Sequence, residues 1–246
     1  MIDVQKIRSI LLDVEGTTTS ISFVYDVLFP YAARNLESYV RQHSRDNAFR
    51  AIVADLYNER EADKARAIDV PEWSNDTERD EIASIVAYCR WLMSKDSKTS
   101  ALKSLQGKIW QQGYVSGELK GQVFDDVPGA LRRWREQGKR VYIYSSGSVL
   151  AQKLIFSHSN YGDLTPLIDG YFDTGVGTKH EASSYSRIVA EIHLQPEQVL
   201  FVSDALKELQ VARAAGLETV CAIRPGNLQV EEIGYESIHN FDELPF

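Results

Sequence analysis

The chain divides into three stretches by the spacing of its apolar positions. The first is short. Residues 6–13 carry the run Ile10-Leu11-Leu12, which ends on Asp13. A brief apolar run bounded by a turn signal predicts a fully buried strand. After Thr19 the period changes. Val24, Val27, Leu28, Tyr31, Ala32, Leu36, Tyr39 and Val40 recur at helical spacing, with Pro30 expected to bend or split the helix. The same spacing continues over 48–66, 78–93 and 101–113. It is broken by the loop Pro71-Glu72-Trp73-Ser74-Asn75-Asp76 and by the polar joint 94–100. Almost nothing between 21 and 124 reads as a buried strand.

From Asp125 onward strands and helices alternate. An amphipathic helix over 127–137 ends at Gly138. A strand over 141–144 runs into Ser145-Ser146-Gly147-Ser148, and a helix follows over 149–156. A strand over 171–173 leads into a loop, 174–179, and a helix over 182–193. The next strand, 199–202, ends at Ser203-Asp204. A helix over 205–215 is closed by Gly216, and a last strand over 219–223 ends at Arg224-Pro225-Gly226-Asn227. Alternation of this kind predicts an α/β fold, a doubly wound parallel sheet with right-handed crossovers. The expected division is a catalytic core of 1–20 with 125–246 and an all-helical cap of 21–124. Because the insertion follows the first strand, it is expected to emerge at the carboxyl edge of the sheet, where ligands bind in such folds.

Composition narrows the function classes. With 246 residues and 43% hydrophobic content, a sizeable core is available. The 27 basic residues are outnumbered by 35 acidic ones, a net charge of -8, which argues against a general nucleic-acid surface. Two distant cysteines, Cys89 and Cys221, form no CxxC, so buried thiols in a reducing compartment are expected rather than a disulfide framework. No signal-peptide pattern and no membrane-length apolar run is found. The expected setting is the cytoplasm, and the small size and acidic balance point to a monomer.

The candidate chemistry lies at the strand ends. Asp13 and Glu15 flank Val14 and precede Gly16, which permits a sharp turn. If the chain stays extended, both acids point to one side. Such a pair can hold a hard cation or divide nucleophilic and acid–base work, and a polar turn is the plain alternative. Ser145 offers a hydroxyl. Ser146 and Gly147 offer backbone N–H groups at a helix start, a ready anion site. Lys179 supplies positive charge for a phosphate. Asp204 can complete a cation site or cap the helix that follows it. Glu208 lies one turn later on the same helix face. The five histidines show no zinc-ligand spacing, and His180-Glu181 lacks the second His of H-E-x-x-H. Phe23, Tyr25, Trp110 and Tyr114 read either as core or as lining for an apolar substrate end.

Acid pair, Ser, Lys and Asp, in that order and each at a strand end or in the loop after one, resemble the haloacid dehalogenase superfamily of phosphohydrolases. The second acid departs from that superfamily's usual Asp. Asp13-Val14-Glu15-Gly16-Thr17-Thr18 is similar to the signature of the enolase-phosphatases of methionine salvage, the acireductone synthases. The resemblance continues through Ser145-Ser146-Gly147-Ser148-Val149, Ala151-Gln152-Lys153-Leu154, Phe172-Asp173-Thr174, Gly177-Thr178-Lys179, Ser184-Tyr185, Arg224-Pro225-Gly226-Asn227, Gln106-Gly107-Lys108-Ile109-Trp110 and Gly113-Tyr114. It implies a small phosphorylated diketone substrate, enolised and then dephosphorylated with one Mg²⁺ per chain. Asp13 is implied as nucleophile and metal ligand. Glu15 is implied to give a backbone carbonyl to the metal and a side chain to acid–base work. Ser145, Ser146 and Lys179 are implied to contact substrate, and Asp204 to be the third metal ligand. Gly147 and Glu208 are expected in support. The rival readings are a plain phosphatase of the same superfamily, a receiver-type phosphoacceptor module and a true dehalogenase. A receiver would carry its phosphoacceptor on a later strand and no hundred-residue helical insertion.

Overall fold

The strands β1 (Ser9–Leu12), β2 (Arg140–Tyr144), β3 (Gly170–Phe172), β4 (Val199–Ser203), β5 (Glu218–Ala222) and β6 (Glu236–Ile238) form one sheet in a computed structural model, which describes residues 5–227 and 234–246. Neighbouring strands are parallel, and the order across the sheet is β3-β2-β1-β4-β5-β6. Central parallel strands are covered on both faces, so β1 and β4 are buried at every position. That is why Ser-Ile-Leu-Leu and Val-Leu-Phe-Val-Ser are nearly unbroken apolar runs. The chain steps outward from β1 to β2 and β3, then returns to β4 on the other side of β1. The order reverses between β1 and β4, and a crevice opens beyond the carboxyl ends of strands at such a point. Asp13 follows β1 directly and Asp204 follows β4 directly, so the two acids are delivered to opposite sides of the reversal.

The described residues form two compact units, Asp26–Glu118 and, around the sheet, 5–25 with 119–227 and 234–246. The first contains α1 (Phe29–His43), α2 (Asn47–Ala65), α3 (Glu78–Ser94) and α4 (Ser100–Ser116). The second contains the sheet with α5 (Val127–Glu136), α6 (Val149–Ser157), α7 (Ala182–Glu191) and α8 (Leu206–Ala214). Under the sheet's site edge, Tyr144, Tyr185 and Phe201 stack edge to face at 5.6 and 5.2 Å, all fully buried.

The helix expected over Val24–Val40 changes winding beside Pro30: Phe23–Leu28 are π-helical and α1 begins at Phe29, so the break lies where the proline was expected to split it. The wider π spacing leaves no trace in a 3.6-residue period. The short edge strand Glu236–Ile238 was not expected. Its three residues run from exposed to buried and make no apolar run. Phe23, Trp110 and Tyr114 are core residues, and the Trp110 indole N–H donates to the Leu28 carbonyl at 2.8 Å. Tyr25 is exposed. Cys89 and Cys221 are buried thiols outside any disulfide.

Candidate active site

The β1–β4 ladder runs one residue past the strand: the Asp13 N–H donates to the Val202 carbonyl at 3.0 Å. The chain then turns. The N–H groups of Thr17, Thr18 and Thr19 all reach the Val14 carbonyl, at 3.2, 3.0 and 3.0 Å. The side-chain alternation expected beyond Asp13 therefore stops there. Glu15 is half-buried and pairs through its backbone with Thr19. Gly16 has φ +70, and a Cβ on it would lie 2.2 Å from Asp204 Oδ2. Only glycine satisfies both the left-handed turn and the close approach of that carboxylate.

Asp13 and Lys179 are both buried and form an ion pair through Asp13 Oδ1 and Lys179 Nζ. Lys179 also donates to Glu208 Oε2 at 3.0 Å. The Val14 N–H donates to Asp13 Oδ1 at 2.6 Å. The Ser203 hydroxyl lies 3.0 Å from Glu208 Oε2 and 3.3 Å from Asp13 Oδ2, so Oδ2 is the more loosely held oxygen of Asp13. Burial alone would lower the Lys179 pKa. The charges of Asp13 and Glu208 outweigh it and hold the ammonium above the ordinary lysine range. The lysine backbone is fixed as well, because the Tyr185 hydroxyl donates to its carbonyl at 3.0 Å.

Asp204 joins this cluster by a second route. Its N–H donates to Thr17 Oγ1 at 3.1 Å. Its Oδ2 accepts from Asn227 Nδ2 at 3.2 Å, and the same amide donates to the Gly16 carbonyl at 2.8 Å. Burial, followed by the charges of Asp13 and Glu208, pushes the Asp204 carboxyl up to about 7. Burial and then Asp13 raise Glu208 as well. Three carboxylates thus share one ammonium, a local shortage of positive charge. A hard divalent cation with a preference for oxygen ligands fits that shortage. Among the described residues no three His, Cys, Asp or Glu side chains group as a ready metal cage.

Ser145 reaches the same edge because β2 lies beside β1, Leu12 pairing with Ile143. Ser145 is buried, and its N–H donates to the Phe172 carbonyl at 3.1 Å. Its hydroxyl accepts the Gly147 N–H at 3.1 Å. The Gly147 N–H, expected to face an anion, is held here by the Ser145 hydroxyl oxygen. The α6 cap is Ser148, whose hydroxyl accepts the Ala151 N–H at 3.3 Å. Ser146 is half-buried in the loop between them. Direct contacts thus unite Asp13, Lys179 and Glu208. Asp204 is tied in through Thr17, Gly16 and Asn227, while Glu15, Ser145 and Ser146 are placed at this edge by their strands. Ser203, Thr17 and Asn227 carry site contacts that no local spacing signalled.

A family model described as haloacid dehalogenase-like hydrolase matches residues 7–216. The enolase-phosphatase E1 of Synechococcus elongatus is 48% identical over 238 residues, 97% of this chain and 98% of that one. The enolase-phosphatase E1 of Danio rerio is 42% identical over 245 residues, 96% and 94% of the two chains. The chain belongs to the enolase-phosphatases, within the haloacid dehalogenase-like hydrolases. The crystal structure of the unknown transcript 4 protein of Saccharomyces cerevisiae superposes on this enolase-phosphatase with a TM-score of 0.79 and 36% identity, over 97% of this chain and 100% of that one. CbbY of Rhodobacter sphaeroides, solved with phosphate, shares the fold at 16% identity and a TM-score of 0.57. As an enolase-phosphatase the chain is a phosphatase enzyme, and the receiver reading is set aside.

Proposed function

We propose that this enolase-phosphatase acts in methionine salvage on 2,3-diketo-5-methylthiopentyl-1-phosphate. It enolises the diketone and then hydrolyses the phosphate through an aspartyl-phosphate on Asp13, giving an acireductone. The observation that carries this reading is the buried Asp13–Lys179–Glu208 cluster at the reversal of strand order, in a chain related end to end to enolase-phosphatases. Asp13 Oδ2, less firmly held than Oδ1, is the attacking oxygen. Lys179 offsets the charge that gathers on the phosphoryl oxygens. Ser145 and Ser146 contact the phosphate end of the substrate; Ser145 donates its hydroxyl hydrogen there while its oxygen keeps the Gly147 N–H. Glu15 serves as the acid–base group, taking the proton alpha to a carbonyl during enolisation. Asp13, Asp204 and the backbone carbonyl of Glu15 would hold one Mg²⁺ per chain, which would relieve repulsion between carboxylate and phosphate and draw charge from the enolate oxygen. The proposed setting is the cytoplasm and the proposed state a monomer.

The test follows phosphate release from the diketone phosphate, with and without Mg²⁺, in the wild type and in Asp13→Asn. Release that needs Mg²⁺ and falls to the buffer level in Asp13→Asn is expected. Full release by Asp13→Asn sinks the proposal. Enol formation, followed separately by ultraviolet absorbance, is expected to fail in Glu15→Gln; at wild-type rate, the base is another group.

A further inference from the structure

The loop after β5 reaches across the reversal of strand order to the turn after β1. Arg224 anchors it. Its Nε donates to the Thr17 carbonyl at 3.0 Å, and its Nη1 donates to Asp126 Oδ2 at 2.8 Å and to the His239 carbonyl at 3.0 Å. The guanidinium lies between the rings of Phe124 and Phe241, at 4.8 and 4.3 Å, and the residue is buried. Gly226, at φ +84, then turns the chain. Asn227 is thereby delivered to the turn that holds Asp13. Its Nδ2 donates to two groups at once, the Gly16 carbonyl and Asp204 Oδ2. Both are acceptors, so the amide orientation follows from its partners. No substrate-binding or catalytic task in the mechanism above uses this residue.

We infer that Asn227 is a positioning residue for the cation site. One amide fixes the distance between the turn that carries Glu15 and the carboxylate of Asp204. By engaging Asp204 Oδ2 it fixes the orientation of the carboxylate that would help hold the cation. Lost, it would leave the Asp204 carboxylate without its anchor to the Asp13 turn, beside like charges that repel it. Groups that orient metal ligands in this way are worth about 10- to 100-fold in metal affinity. The inference rests on the assignment of Mg²⁺ to Asp13, Glu15 and Asp204.

The test is calorimetric titration of Mg²⁺ into the EDTA-stripped and dialysed full chain, without substrate, for the wild type, Asn227→Ala and the isosteric, uncharged Asn227→Leu. Thermal melts in EDTA run alongside. The Mg²⁺ Kd is expected to rise by ~10-fold or more in both variants, with melting in EDTA close to wild type. Activity at saturating Mg²⁺ is expected to recover most of its wild-type kcat. A Kd within about twofold of wild type in either folded variant overturns the inference, whatever the effect on melting. A loss of kcat that saturating Mg²⁺ does not restore overturns it too, since the amide would then serve the reaction by another route. If one variant does not fold, the other decides; if neither folds, the amide is a structural strut and the inference fails. Absence of Mg²⁺ binding in the wild type is a separate result and removes the cation assignment beneath it.

Discussion

At the scale of single residues, the site is a problem of balancing buried charge. Lys179 is the only cation among the described groups that touch Asp13 and Glu208, and each of the three is largely withdrawn from water. A buried ion whose partner is removed costs about 3–5 kcal/mol. Lys179→Met, similar in length but uncharged, is therefore expected to abolish phosphate release and to destabilise the metal-free protein by roughly 3 kcal/mol in urea unfolding. Activity lost at unchanged stability would show that the lysine acts on substrate alone. Gly16→Ala is expected to lose Mg²⁺ binding, because its Cβ would displace the Asp204 carboxylate at 2.2 Å; titration of Mg²⁺ checks it. The acids Asp13 and Asp204 stood out in the sequence because each comes at the end of a short apolar run that reads as a buried strand, Asp204 after Ser203. Asn227 did not. Its motif, Arg224-Pro225-Gly226-Asn227, entered only as part of the resemblance, with no task for the amide, because its partner Gly16 lies 211 residues away. Ser203 reads as the polar end of a strand, and only the fold brings it between Asp13 and Glu208.

At the scale of elements, regular spacing was readable and special geometry was not. Helices α2 to α4 lie close to the bounds their apolar positions predict; α4 is buried around most of its circumference. The π-helix at Phe23–Leu28 and the edge strand at Glu236–Ile238 depend on backbone partners supplied by the fold rather than on pattern. Close packing within the helical unit gives its own prediction. Gly113 in α4 lies under the ring of Tyr31 in α1, and a Cβ there would sit 2.6 Å from ring atoms. The Tyr31 ring cannot simply swing aside, since its hydroxyl donates to Glu118 at 2.8 Å. Alanine should favour an isolated helix over glycine by about 1 kcal/mol. Overpacking costs about 1–3 kcal/mol, so the clash wins. Gly113→Ala is expected to lower the melting temperature, and a rise would show that α1 and α4 can part without loss.

At the scale of the whole molecule, each compact unit carries one buried cysteine, which makes the two units separately observable. Cys89 lies in α3 of the helical unit, and Cys221 lies in β5 of the α/β unit. Burial, then the charge of Glu59, pushes the Cys89 thiol up to about 12, and the thiolate is the reactive form. A raised thiol pKa means that the folded protein favours the protonated, inert state, so at pH 8 labelling reports opening of the chain around it. A buried cysteine in either unit should thus react with an alkylating reagent only as fast as its own unit opens. Asp13, Glu15 and Asp204 all belong to the α/β unit. A cation that binds the closed unit reduces its open fraction by a factor of 1 + [L]/Kd. With Mg²⁺ at ten times its Kd, labelling of Cys221 is expected to slow by about tenfold. Each unit has its own core, and units of that kind can open one at a time, so labelling of Cys89 is expected to stay within about twofold. Mass spectrometry of the two cysteine peptides after timed labelling separates the outcomes. Equal slowing of both thiols would mean that the units open together, and no slowing of Cys221 would mean that the cation is not held by the α/β unit.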